Sequence, residues 1–323
     1  MTTGPLAIGI DIGGHLTKLG VIDAAGQILA SHRIPSELTV ESIGGYLDTL
    51  LAAASSMREG FRADVTAVGI SLIGAVREEQ GGTVCAVNGP GLQGVNLRTL
   101  LGASLGLPVF LSNDLTAHTL AECWFGVGVG TRRFLCLALG TGVGAGVVID
   151  GNPVMFWGGT AGDAGRIILD PRASAKCDGG VRGSAEALCG VAGIERLARE
   201  RYGRPVACPE LIQAARRGDD PVAAAIFQEI GAHLGHLLAI LSVLFFPSRI
   251  ALSGGVAEAG PALLDPCVAQ FESLVADYFR MVAASSQGYC TTVEIRKGLL
   301  GGDAAMVGAA ARALKSSGAA AVP

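Results

Sequence analysis

Charge is scarce in this chain of 323 residues. Asp, Glu, Lys and Arg make up 16% of it, and 24 basic side chains stand against 28 acidic ones, a formal net charge of −4. Lacking a basic surplus, the sequence excludes a dedicated binder of nucleic acid. Such low charge beside 50% apolar residues excludes a disordered chain as well. Paired cysteines are missing too. The 8 cysteines are scattered with no Cys-x-x-Cys, which fits reduced, buried thiols in a cytoplasmic protein rather than a disulfide framework. Met1 to Pro5 lacks the basic start and apolar stretch of a signal peptide. The longest uncharged run, Ile230 to Pro247, only reaches the lower limit of roughly 18 residues for crossing a bilayer. It contains His233 and His236 and reads as a buried helix leading into a strand. Neither a membrane nor a nucleic acid is expected as a partner.

What is abundant is glycine, 48 residues with no three-residue period, so collagen is excluded. The length suits two domains, each with a core. Two segments repeat at an offset of 127: AIGIDIGGHLTKLGVID from Ala7 to Asp23, and FLCLALGTGVGAGVVID from Phe134 to Asp150. Each reads as strand, glycine turn and second strand. The repeat predicts two similar domains, residues 1–111 with the last helix 303–315, and residues 112–302. Further helices are predicted over Thr39–Arg58, Leu97–Leu105, Leu115–Phe125, Ala185–Tyr202, Pro221–Phe246 and Asp303–Lys315. Strands are predicted over Val65–Gly74, Pro108–Leu111 and Ser248–Ser253. Strands alternating with helices give an α/β fold.

Three glycine turns carry candidate chemistry. In Asp11-Ile-Gly13-Gly14, backbone N–H groups without a neighbouring Cβ can approach a phosphate, and the carboxylate at the strand end can hold Mg²⁺, directly or through water. The run from Gly140 through Thr141 and Gly142 to Gly146 offers a second cradle, with a hydroxyl added and without the Lys-Ser/Thr of a P-loop. Gly254-Gly255, after a strand, lets a purine lie flat against backbone. Asn113-Asp114 has two readings, a helix N-cap or a substrate site in which Asp114 takes the proton of an attacking hydroxyl.

Taken together, these turns resemble the nucleotide site of the sugar kinase, actin and Hsp70 superfamily, and the segments between them narrow the resemblance to the ROK family of repressors, open reading frames and kinases. The segments are NGPGLQGVNL from Asn88, LPVFLSNDLTAHTLAE ending at Glu122, GDAGRIILDP from Gly162 and GDAAMVGAAARA from Gly302. The resemblance spans residues 6 to 314. It implies two actin-like domains flanking a cleft, ATP and Mg²⁺ as cofactors, a likeness to homodimers, and transfer of a phosphoryl group to a primary hydroxyl of a hexose-like acceptor. Asp114 is the implied base. Asn88, Asn113, Asp163, Arg166 and Glu186 are implied at the sugar, while Asp11, Gly13, Gly14, Gly140, Thr141, Gly142, Gly254 and Gly255 are implied at the nucleotide. The family's repressors carry a winged-helix domain before Asp-x-Gly-Gly, and the ten residues before Asp11 leave no room for one, so DNA binding is not expected.

Departures from the family pattern point to the acceptor. ROK kinases usually bind zinc with one His and three Cys, and the matching positions here are Arg166, Cys177, Gly179 and Ser184. One thiol and a permanent cation do not make a tetrahedral zinc site, so no zinc is expected. Asp163 and Arg166 replace a Glu and a His that contact the sugar in the family, and either they pair with one another or the acceptor differs from glucose. An aminosugar or a seven-carbon cyclitol fits, as in the antibiotic pathways of GC-rich bacteria, to which the Ala/Gly-rich composition is similar. His15 stands where the family has Thr. It either donates to phosphate, leaves that to Thr17, or packs. His118, His233 and His236 read as helix residues without catalytic duty.

Overall fold

The duplicated hairpin closes at identical limits in both copies. In the first, β1 (Leu6–Ile12) and β2 (Leu16–Ile22) pair antiparallel, and β3 (Ile28–Pro35) extends the sheet. The offset of 127 carries these strands onto the second copy, β8 (Arg133–Leu139) and β9 (Val143–Ile149). The turns differ: Asp11 pairs with Lys18, whereas Ala138 pairs with Gly144, one residue tighter. The computed structural model describes residues 4–61, 64–85, 89–290 and 292–319.

The chain forms two compact units, and the boundary expected near residue 112 is displaced. The first unit is Met1–Val129, Gly151–Gly162 and Gly302–Pro323; the second is Gly130–Asp150 and Asp163–Gly301. The displacement has a physical cause. The helix after Asn113 packs on the C-terminal helix, and its strand closes the first sheet, so both remain with the first unit.

In the first unit β1 pairs parallel with β4 (Val65–Leu72), and β4 with β7 (Val109–Asn113), giving the order β3-β2-β1-β4-β7. A small hairpin, β5 (Ala75–Arg77) and β6 (Gly82–Cys85), follows β4. One core joins the sheet to α1 (Ile43–Gly60) and α2 (Leu97–Leu105) through Leu50, Leu101, Leu105, Ile8, Ile10 and Ile70. Each such side chain contributes ~1.5–3 kcal/mol on burial. Asn96 caps α2 by accepting from Thr99 N–H at 2.9 Å, and Gly106 ends it at φ 63°. The predicted start of α1 at Thr39 moves to Ile43, because Thr39 turns its hydroxyl back to accept from Ser42 N–H.

The second unit repeats the arrangement in the order β9-β8-β11-β12, all parallel beyond the hairpin, with β10 (Asn152–Pro153) belonging to the chain's return through the first unit and β11 (Arg249–Ser253) and β12 (Glu294–Lys297) following β8. Its helices are α4 (Ala185–Cys189), α5 (Val191–Tyr202), α6 (Cys208–Arg217), α7 (Pro221–Phe245) and α8 (Pro261–Ser285). The single helix predicted over Ala185–Tyr202 is broken at Gly190, where a Cβ would sit 2.8 Å from Glu186 O and 2.9 Å from Thr141 O. α7 is long and apolar enough to cross a membrane, yet its most apolar window is 56% buried within the protein.

α9 (Ala304–Ser316) returns to the first unit and lies directly on β1 and β4. Glycine permits this approach. A Cβ at Gly69 would stand 1.9 Å from Ala309 O, and one at Gly9 2.3 Å from Met306 O. On its other side α9 meets α3 (Asp114–Phe125), where a Cβ on Gly308 would stand 1.8 Å from Ala117 O. Gly69→Ala is therefore expected to lower the unfolding free energy by about 2–3 kcal/mol through overpacking. Gly44→Ala, in open space on α1, is expected to change it by less than about 1 kcal/mol. Urea midpoints for the two variants check the contrast.

Candidate active site

Within the first unit the chemistry gathers at the C-terminal ends of β1, β4 and β7. β7 ends on Asn113, which is 6% exposed and begins α3. Asn113 Oδ1 accepts from Leu115 N–H at 3.0 Å and Thr116 N–H at 3.4 Å, and Nδ2 donates to Gly74 O at 2.9 Å. The capping role is thus real, and it leaves the second Nδ2 hydrogen for a hydroxyl. Asp114 occupies the first turn of α3 and accepts from Leu115 N–H at 2.8 Å. Burial pushes its carboxyl up to about 6, against the helix-end hydrogen bond and with the charge of Asp11 adding to the rise.

Asp11 is 9% exposed at the end of β1. One carboxylate oxygen accepts from Ser71 Oγ at 2.8 Å, and the other lies 3.6 Å from Lys18 Nζ. Burial raises its pKa, which Ser71 and Lys18 counteract. Lys18, which the sequence reading passed over, also donates to Gly302 O and stands 4.0 Å from Asp303. Its signal was positional: Lys18 is the cross-strand partner of Asp11. The donor set fits Mg²⁺ held through water better than direct ligation, since Ser71 and Lys18 already engage both oxygens of Asp11. His118, expected only as a helix residue, lies within the fields of Asp11, Glu122 and Lys18, and burial lowers its pKa.

The alternatives at His15 and Thr17 separate. Thr17 is fully buried, with its hydroxyl 2.7 Å from both Ser36 Oγ and Tyr46 OH, so it serves the core. His15 is exposed in the turn with Gly13 and Gly14, both half-buried. Gly13 N–H donates to Leu16 O at 3.2 Å and so belongs to the hairpin itself. Asn88 lies outside the described residues.

In the second unit, Arg166 organises the candidate sugar residues. Its Nη1 is 2.5 Å from Glu186 Oε1 and its Nε 3.4 Å from Asp163 Oδ2. The pairing expected with Asp163 is present, but the shorter partner is Glu186. Glu186 Oε2 in turn accepts from Val143 N–H at 3.3 Å, and a Cβ on Gly142 would stand 2.7 Å from it. One carboxylate thus joins the Gly140–Gly142 turn to the guanidinium. A Cβ on Gly179 would lie 3.1 Å from Arg166 Cζ, so the loop following Cys177 closes against the cation. Among the described residues no three His, Cys, Asp or Glu side chains gather as a metal set.

The nucleotide candidates of this unit differ in access. Thr141 is exposed, and Gly140 and Gly255 have nothing within 4 Å of an added Cβ, so their backbone can be approached. Gly254 at φ 89° would place a Cβ 2.3 Å from Leu139 O, so it turns the chain against β8.

Comparison with known proteins agrees with this layout. The sequence model of the ROK family matches residues 7–316. A glucokinase of Streptomyces coelicolor is 31% identical over 322 residues, covering 94% of this chain and 96% of that protein. A ROK hexokinase from Thermus thermophilus superposes with a TM-score of 0.81 at 29% identity, covering 97% of this chain and 99% of that one. A ROK family glucokinase from Streptomyces griseus, solved with glucose and AMPPNP, gives a TM-score of 0.76 at 30% identity over 96% and 99%. These neighbours have the two-domain actin-like fold to which the repeated sheets correspond. From the hairpin repeat, the order of its motifs and this match along its length, the chain belongs to the ROK family.

Proposed function

We propose that this chain is an ATP-dependent kinase that phosphorylates the primary hydroxyl of a hexose-like acceptor. The observation that carries the reading is Asp114, a carboxylate set at a helix start next to Asn113, with its pKa pushed to about 6. Such a group is ionised at neutral pH and basic enough to accept the proton of an attacking alcohol. Asn113 orients that alcohol with its remaining donor. Magnesium would be held through water at Asp11 and would neutralise phosphoryl charge, while the open backbone at Gly140 and Gly255, with Thr141, receives the nucleotide. The glucokinases similar to this chain, one of them solved with an ATP analogue, support ATP as donor.

The acceptor is proposed to be an aminosugar or a cyclitol rather than glucose. Supporting this, Arg166 is committed to Glu186 and Asp163. Two carboxylates around one guanidinium leave a net negative charge, which suits a substrate group that donates hydrogen bonds or carries an ammonium. The similarity to glucokinases favours the alternative of an ordinary glucokinase.

Two outcomes follow. The rate at limiting acceptor is expected to fall about tenfold per pH unit below pH 6, as Asp114 gains its proton. Asp114→Asn is expected to reduce turnover by ~10²–10⁴-fold. The same variant is expected to raise stability at neutral pH. Because the folded pKa lies above the unfolded one, the native state holds the extra proton between about pH 4 and 6, and stability falls as pH rises through that window. Asn removes this loss, giving a gain of about 2–3 kcal/mol at pH 7 and none below pH 4. A pH–rate profile and thermal melts at both pH values check the pair, and a variant that turns over normally overturns the base assignment.

Acceptor choice is tested by phosphorylation assays on glucose, N-acetylmannosamine, kanosamine and a valiolone-type cyclitol. Glucose emerging as clearly the best substrate returns the reading to a glucokinase. Arg166→Lys, which keeps the charge and loses the fork, is expected to raise the KM of the preferred acceptor about tenfold with a smaller effect on kcat.

A further inference from the structure

Three consecutive large apolar side chains lie exposed beside Asn113: Met155 at 44%, Phe156 at 65% and Trp157 at 71%. They sit on a well-anchored loop of the first unit. Phe156 N–H donates to Thr160 O at 2.7 Å, and Gly158 and Gly159 turn the chain at φ 73° and 77°. Thr116 Oγ1 donates to Gly159 O at 2.7 Å, which ties the loop to the first turn of α3. Together with Asn113, the loop lines a cavity of about 370 Å³, within the range of ~300–1,000 Å³ that small-molecule sites occupy.

The rest of the lining is polar and internally bonded. Arg312 bridges Glu78 Oε2 at 2.8 Å and Ser112 Oγ at 2.7 Å, and Arg98 holds the other oxygen of Glu78 at 3.3 Å. At the rim Arg77 and Glu79 are exposed and enter no ion pair among the described residues. A wholly apolar ligand would leave this wall unmatched, and two arginines against two glutamates give the lining no net charge with which to select an ion. A pyranose ring satisfies both walls: its C–H face lies against the aromatic side chains, and its hydroxyls meet carboxylate, guanidinium and amide groups.

We propose that this cavity is a subsite for a second sugar ring, so that the acceptor ring at Asn113 and Asp114, of whichever class, can carry a glycosidically linked ring against Phe156 and Trp157. The proposal rests on the kinase reading above.

The chain has 2 tryptophans, and Trp124 is 4% exposed beneath the ammonium of Lys315, so fluorescence quenching reports on Trp157. Titration with glucose, maltose and cellobiose is expected to show saturable quenching by a disaccharide at concentrations about tenfold lower than for glucose. Trp157→Ala is expected to lower kcat/KM for that disaccharide about tenfold while leaving glucose within about twofold, and Trp157→Phe to retain most of it. Absence of quenching by either disaccharide, or an equal loss on both acceptors, overturns the subsite. Asp114→Asn separates the two proposals: it should cut transfer by the same ~10²–10⁴-fold yet preserve quenching. Undiminished transfer in that variant sinks the base assignment, whereas quenching still decides the subsite.

Discussion

The first unit depends on a helix laid against a sheet at backbone distance. α9 approaches β1 and β4 so closely that a single Cβ at Gly9 or Gly69 would collide with a main-chain carbonyl. On α9 the atoms that meet these glycines are the carbonyls of Met306 and Ala309 and the Cβ of Ala310, and Gly308 meets Ala117 of α3 in the same way. Close packing of this kind leaves no space for a methyl group to be accommodated by small shifts. It also has a functional consequence. α3 carries Asp114 at its start, β1 carries Asp11 at its end, and α9 holds both elements, so the two carboxylates keep a fixed relation.

That fixed relation sets the electrostatics. Burial raises both Asp11 and Asp114, and at Asp114 the charge of Asp11 adds to the rise. Lys18 offsets part of the charge from one side, and the chain carbonyl of Gly302 and the carboxylate of Asp303 hold Lys18 there. The second unit solves a related problem differently. There Arg166, with its planar fork, joins the largely buried Glu186 to the exposed Asp163, so the more buried carboxylate has a cation of its own.

Much of this was legible in the sequence because it repeats or has a period. The two hairpins declared themselves by their offset, and α9 by its Gly-Ala run between a Gly pair and Lys315. Asn113-Asp114 stood out as a strand end meeting a helix start. What was not legible depends on distant partners. β3 went unread because it lies at a sheet edge with most side chains exposed, so no clean alternation marks it. α8 went unread because only Leu263, Cys267, Phe271 and Phe279 of its 25 residues are buried, with Pro266 interrupting the pattern. The bond of Arg166 to Glu186 spans 20 residues and that of Thr17 to Tyr46 spans 29, and no local pattern encodes either. The domain boundary failed for the same reason, since α3 follows its packing partner α9 and not its place in the sequence.

The repeat also shows how one hairpin comes to serve two kinds of chemistry. In the first copy Asp11 lies beside Ser71 of the neighbouring parallel strand, and the two are hydrogen-bonded. At the equivalent place in the second copy Ala138 lies beside Ser253. The serine persists while the carboxylate is replaced by a methyl group. Across the hairpin, Lys18 faces Asp11, whereas Gly144 faces Ala138. The first sheet therefore ends in a charged pair, the one at which magnesium is proposed to sit. The second ends in uncharged, partly open glycine turns at Gly140 and Gly255 with no carboxylate at the strand end, the setting that the proposed nucleotide contact requires. The strand limits and the place of the parallel partner are the same in both copies, so the ion pair at one strand end and its absence at the other are the difference on which the proposed division of duties rests.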